Sequence, residues 1–201
     1  MFAITERLFL RPFWPEDAES LAAKIGVPEV CLNLAAPPFP YRVSDALAKV
    51  SIDWASWPLD VSCGIFLRTP DGPALAGGVA LARQPDRADE AEIGYWLARE
   101  FWGRGIAVEA ARPVVENAFV ALRLQRLVAG PFIDNPASGR VLQKLGFRKT
   151  GDISICESVP RGCKVSSVDY ELTREDWERT AFRADPRGPG RSGDVAALQA
   201  A

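Results

Sequence analysis

Apolar and polar positions along this 201-residue chain change period several times, and each change marks an element. Thr5 to Phe13 alternates, with Leu8 and Leu10 on one face, which predicts an edge-type strand. Trp14-Pro15 ends it. Pro15 suits a first helical position, and Glu16 to Ile25 has the spacing of an amphipathic helix stopped near Gly26 and Pro28. Pro37, Pro38 and Pro40 make Val30 to Tyr41 a loop. Ser44 is placed to cap a second helix reaching about Ser56, with Ala46, Leu47, Val50, Trp54 and Trp57 at helical spacing. Val61–Arg68 and Ala74–Ala82 flank Asp71-Gly72, a hairpin signal; Gly77-Gly78 implies a bulge or close packing, and Arg83–Asp89 reads as a polar loop.

The chain is organised around Glu90 to Gly105, EAEIGYWLAREFWGRG. Ile93 to Ala98 is an apolar strand run that breaks into a turn holding Gly103 and Gly105. A helix follows at once, its apolar stripe made by Ile106, Ala107, Ala110, Ala111, Val114, Val115, Ala118 and Phe119. The first turn of a helix has backbone N–H groups with no internal partner and carries partial positive charge. Glycines let a ligand approach without a Cβ in the way. The strand, glycine turn and helix start therefore make a phosphate or pyrophosphate cradle; the plainer alternative is a tight turn with two glycines at positive φ. A Walker A loop is excluded because no Lys-Ser or Lys-Thr follows, and Val108 occupies the third small position of a Rossmann fingerprint.

Gln125 to Ile133 reads as the next strand, parallel and adjacent to the previous one because a helix crosses between them. Asn135 is a natural N-cap and Pro136 a natural first residue for a helix, Ala137 to Leu145, that stops at Gly146. Phe147–Ser158 and Lys164–Leu172 pair across Pro160-Arg161-Gly162, and a closing helix runs from Thr173 to about Phe182. One domain over 1–182 and a disordered tail over 183–201, rich in Pro, Gly and charge, are expected.

A formal net charge of −2 leaves no basic footprint for nucleic acid, and no apolar run is long enough to cross a bilayer. The N-terminus reads as a first strand, not a signal peptide, so a cytoplasmic location is expected. Cys31, Cys63, Cys156 and Cys163 show no metal-ligand spacing and are expected to be reduced, although Cys156 and Cys163 could face each other across a hairpin. Histidine is absent. That removes a Ser-His-Asp triad, a Cys-His dyad and histidine acid–base work, leaving carboxylates, hydroxyls, backbone dipoles or a cofactor.

GYWLAREFWGRGIAVEA resembles the acetyl-CoA signature of the GNAT acyltransferases, in the branch similar to ribosomal-protein N-terminal acetyltransferases. Asn135 to Phe147, NPASGRVLQKLGF, is similar to a second stretch of that family. The resemblance implies an α/β (α+β) GNAT fold: a mixed, mostly antiparallel sheet flanked by helices, whose parallel fourth and fifth strands, here Glu90–Leu97 and Gln125–Ile133, splay apart. It implies acetyl-CoA as acyl donor with no metal. The pantetheine arm pairs with the backbone of Leu97 and Ala98, and the pyrophosphate sits on the N–H groups of Gly103, Arg104, Gly105, Ile106 and Ala107. Asn135 then bonds the cofactor arm or is a plain cap. Arg99, Arg104, Arg140 and Lys144 reach phosphate or are surface basic residues. Glu100 stands where many members have Gln or Arg, so it gives phosphate no side-chain help.

Direct transfer to an amine needs a base for the ammonium proton and a donor for the leaving thiolate. Alternation puts Glu90, Glu92, Gly94 and Trp96 on one strand face, and Glu92 is the base candidate; a partly buried Glu92 would have a raised pKa. Asp134, Asp152 and Glu157 are rivals. Leu142 stands where many members carry the proton-donating Tyr, which leaves the Ser138 hydroxyl or water; Ser138 is otherwise a first-turn serine bonding backbone. The expected activity is N-acetylation of a primary amine, by family weight a protein N-terminal amine. A small amine (aminoglycoside, polyamine or amino acid conjugate) and a non-catalytic acyl-CoA-binding module are the alternatives, and a homodimer through an exposed sheet edge is left open.

Overall fold

The computed structural model describes residues 1–51, 59–84 and 86–184. Among these, eight strands form one sheet: β1 (Ala3–Ile4), β2 (Leu8–Arg11), β3 (Leu59–Thr69), β4 (Gly72–Gln84), β5 (Arg87–Leu97), β6 (Arg126–Ala129), β7 (Arg148–Ser158) and β8 (Cys163–Thr173). Their order is β1-β2-β3-β4-β5-β6-β8-β7. The β5–β6 pair is parallel and the other pairs are antiparallel.

Helices cover both faces. Helix α1 (Ala18–Ile25) and α3 (Val43–Val50) bury Leu21, Ala22, Ile25, Ala46 and Val50 against Phe13, Phe66 and Leu75, with the short α2 (Pro28–Cys31) beside them. On the other face α4 (Ile106–Val120) buries its apolar stripe, all of it but Ala107 packed in one core with Leu8, Ile65, Leu81, Ile93 and Leu127. Apolar area removed from water, at about 25 cal/mol per Å², drives this stacking. The chain closes with α5 (Pro136–Lys144) and α6 (Arg174–Ala184). Arg174 donates to the carbonyls of Phe119 and Leu124, holding the end of α4.

Several boundaries differ from the sequence reading. The Thr5–Phe13 strand is shorter, and it is not at the edge, because β1 covers it. Thr5 ends the extended run by accepting the Leu8 N–H on its hydroxyl while donating its own N–H to the Leu8 carbonyl. Helix α2 takes the start of the proline loop. Helix α3 begins one residue before Ser44, with Asp45 accepting the Arg42 N–H at 2.8 Å; the expected continuation through Trp54 and Trp57 lies outside the described residues. Arg83–Asp89 is mostly strand, the ends of β4 and β5. Strand β6 stops at Ala129, since Pro131 has no N–H for a ladder; Phe132 regains one bridge to Ser167. Cys156 lies opposite Val165 and Cys163 opposite Ser158, so the thiols do not face each other and are free. Of the tail, residues 185–201 lie outside those described, and 183–184 end α6.

Candidate active site

Strands β5 and β6 meet for three rungs only, Glu90–Arg126, Ala91–Leu127 and Glu92–Val128. Beyond Glu92 they part. The Asp89 carbonyl accepts from Gln125 on the β6 side, and the Ala98 N–H donates to Ala76 on the β4 side. Backbone groups of a strand alternate sides. The N–H groups of Tyr95 and Leu97 therefore face the gap, and the Ala98 amide does not. Ala98 is 1% exposed and its N–H is spent inside the sheet, which corrects the expectation that it offers backbone to a ligand. The Leu97 carbonyl accepts from the Trp102 indole at 2.8 Å.

After β5 the chain makes one 3-10 turn, Arg99–Phe101, and then the glycine bend. Gly103 has φ +71° and Gly105 φ +76°, so a side chain at either would be strained. A Cβ built on Gly103 meets nothing within 4 Å, and one on Gly105 meets only Arg7 Nη2 at 3.7 Å. Gly105 is the N-cap of α4. The bend is an open cradle, not one plugged by side chains.

A cleft of about 330 Å³ joins gap and bend. It is lined by Tyr95 and Leu97 of β5, by Gly103, Gly105, Ile106 and Ala107, and by Asn135, Ser138, Arg140 and Lys144 of α5 and its cap. Val30, Asn33 and Leu34 wall the other side. Ala98 and Arg104 are outside this lining; Arg104 stacks over Phe101 at 5.6 Å. Arg99 is ion-paired to Glu29, and Glu100 to Lys24, whose hydrogen bond holds that carboxyl below its ordinary range.

Asn135 caps α5, its Oδ1 accepting the Ser138 N–H at 3.2 Å. Tyr95, on the α4 side of the sheet, reaches across the gap. Its hydroxyl lies 3.0 Å from the Ser138 carbonyl and 3.1 Å from Ser138 Oγ. Burial pushes the phenol up to about 12, Tyr170 adding to the rise and Ser138 opposing it. Sequence reasoning passed over Tyr95; its signal was a polar tip inside the apolar Ile93–Ala98 run.

Glu92 is on the opposite face, the face of Trp96, which lines the cleft although Glu92 does not. Surrounding protein pushes its carboxyl upward by desolvation, with the Asp169 carboxylate acting the same way; its open solvent side tempers the effect. Asp169, unnoticed in the sequence, accepts from Ser154 Oγ at 2.6 Å. Among the rivals, Asp134 is bonded by Arg161, which holds its carboxyl low and unsuited to take a proton. Asp152 and Glu157 are exposed on β7, the sheet's outer strand.

A mixed sheet flanked by helices, its one parallel pair splaying beside an open glycine bend, is the fold of the GNAT acyltransferases. The GNAT acetyltransferase domain model matches residues 7–148, so the chain belongs to the GNAT family and is an N-acetyltransferase. The "Putative ribosomal N-acetyltransferase YdaF" of Bacillus subtilis (strain 168) is 29% identical over 177 residues, 87% of this chain and 96% of that protein. The fold is also that of a GNAT-family acetyltransferase from Bacillus anthracis, with TM-score 0.72 and 22% identity over 87% of this chain and 99% of that one. The Microcin C7 self immunity acetyltransferase MccE, in complex with acetyl-CoA and AMP, superposes with TM-score 0.71 at 21% identity, over 84% and 93% of the two chains.

Proposed function

We propose that this N-acetyltransferase moves an acetyl group from acetyl-CoA directly to a primary amine, a protein N-terminal α-amine, with donor and acceptor bound together. The observation that carries the reading is the three-rung β5–β6 pairing, which leaves the Tyr95 and Leu97 amides facing a gap that runs into the Gly103–Gly105 cradle. The residues present fit such a donor. A pantetheine arm is itself a chain of amides and can complete the open strand edge, while the N–H groups from Gly103 to Ala107, the first turn of α4 among them, suit pyrophosphate. Asn135 and Arg140 line the same cleft and would hold the rest of the carrier. MccE was solved with acetyl-CoA, and YdaF is named for ribosomal N-acetylation, which supports both halves of the reading.

The chain's own groups divide the proton traffic. Glu92, its carboxyl raised, takes the ammonium proton directly or through water. The Leu97 N–H is the amide available to a developing oxyanion, in place of the Ala98 N–H. Ser138 lines the same cleft, its Oγ 3.1 Å from the Tyr95 hydroxyl, and gives the leaving sulfur its proton.

Calorimetry with acetyl-CoA tests the cradle. Gly105→Glu puts a side chain at φ +76° and a negative charge among the amides, so binding should be lost; undiminished binding rejects the reading. Thiol release measured against a panel of peptides and small amines then fixes the acceptor. Turnover with aminoglycosides or polyamines and none with peptides would replace the N-terminal amine.

A further inference from the structure

The cradle has a carboxylate on its own first turn. Glu109 donates its N–H to the Gly105 carbonyl at 3.1 Å, and its side chain, 18% exposed, turns to the N-terminal strand connection. There it accepts from Thr5 Oγ1 at 2.5 Å, the Arg7 N–H at 2.9 Å, Arg7 Nε at 2.7 Å and Arg7 Nη2 at 2.6 Å. The remaining guanidinium nitrogen, Nη1, donates to the Arg104 carbonyl at 3.0 Å. Arg7 is thus tied to the helix carboxylate and to the bend together.

Two physical consequences follow for an anion in the cradle. A carboxylate near a helix N-terminus stabilises the helix but repels any second anion brought there. Arg7 cancels that charge through a forked, always-protonated group. In addition, the Arg104 carbonyl and the Gly105 N–H belong to one planar trans peptide. Holding the carbonyl toward Arg7 turns the Gly105 N–H the other way. Lysine in place of Arg7 could not make both contacts from one plane.

We propose that Arg7 is a positioning residue of the phosphate cradle: it neutralises Glu109 and aims the Gly105 amide, so that the bend accepts the pyrophosphate of a coenzyme A carrier. The inference rests on the proposed donor reading and deepens it. The N-terminal segment, whose Arg7 stands 97 residues from Arg104 in sequence, is then part of the donor site although it lines none of the cleft.

The test compares Arg7→Gln, Glu109→Gln and the double variant with the wild type, using CoA and pantetheine as probes, with thermal unfolding as the control for folding. Arg7→Gln should weaken CoA binding roughly tenfold, the scale of one uncompensated charge beside a helix start. It should leave pantetheine binding, which lacks the pyrophosphate, unchanged. Adding Glu109→Gln should restore most of the CoA affinity. Unchanged CoA affinity in Arg7→Gln, equal losses for both probes, or no recovery in the double variant would each overturn the inference. A wild type that binds pantetheine and CoA equally, or neither, sinks the donor reading itself.

Discussion

Glu92 and Tyr95 stand three positions apart on β5 and serve opposite faces of the sheet, so their substitutions should read differently. Glu92 has a carboxyl raised by desolvation and by Asp169, so the folded protein binds a proton there more tightly than the unfolded chain. Stability from this group is therefore present at low pH and falls as pH rises through the window between the two pKa values. Glu92→Gln should remove that slope, checked by melting temperatures between pH 4 and 7. In activity the sign reverses, because a base works deprotonated: the acidic limb of kcat should sit above the ordinary carboxylate range in wild type. It should disappear in Glu92→Gln, with kcat down by about 10²-fold or more. Tyr95→Phe removes the bonds to Ser138 and should cost about 1 kcal/mol in urea unfolding. With the phenol at about 12, that loss should be the same from pH 6 to 9. The phenol has one proton, and a carbonyl only accepts; when Tyr95 serves the Ser138 carbonyl, the serine hydroxyl is left to donate.

At the scale of elements, a nearly buried ion pair joins β2 to the start of α1. Arg11 forks onto Asp17 at 2.7 and 2.8 Å, both side chains nearly buried, and Asp17 also accepts the Trp14 N–H at 2.7 Å. The guanidinium stacks between Trp14 and Phe66 at 3.9 and 4.0 Å from the ring centres. Asp17→Ala leaves a buried cation unpaired and should cost about 3–5 kcal/mol by chemical denaturation. What could be read from the sequence follows from how local each signal is. The stripe of α4 and the Asn135-Pro136 start of α5 are fixed by residues within a turn of one another, and both stand where periodicity and capping put them. Gly77 and Gly78 announced close packing: a Cβ on Gly77 would lie 2.1 Å from the Trp96 carbonyl, and one on Gly78 2.6 Å from the Trp96 indole nitrogen. The ends of β4 and β5 within Arg83–Asp89 read as loop because their residues are polar, with no apolar alternation to mark a strand. Ala98 was misjudged because which side an amide points to depends on register with β4, a long-range fact. Arg7 depends on a partner 102 residues away, and Asp169 acts on Glu92 from two strands across the sheet, beyond any local pattern.

In the whole molecule, the cleft is bounded by two distant parts of the chain that hold each other. The tip of the β7–β8 hairpin binds three carbonyls beyond α2: Arg161 Nε donates to Leu32 at 2.6 Å, Ser158 Oγ to Leu34 at 3.4 Å, and the Val159 N–H to Ala35 at 2.8 Å. Arg161 also grips Asp134, beside the α5 cap, and stacks over Phe132 at 4.7 Å. The wall containing Asn33 and Leu34 is thus fastened to the hairpin and, through Arg161, to the start of the helix that bears Ser138. Arg161→Ala should loosen this wall while leaving the glycine bend alone. Hydrogen exchange at residues 32–35 should rise, and acceptor KM should rise several-fold at unchanged CoA affinity. The Asp134 carboxyl is depressed by Arg161, so its tie is intact above the ordinary carboxylate range and is lost as pH falls through the lower folded value. Exchange at 32–35 in the wild type should then increase below about pH 4. In Arg161→Ala it should be high already and show no such acid step; an acid step that survived the substitution would mean that another group fastens the wall.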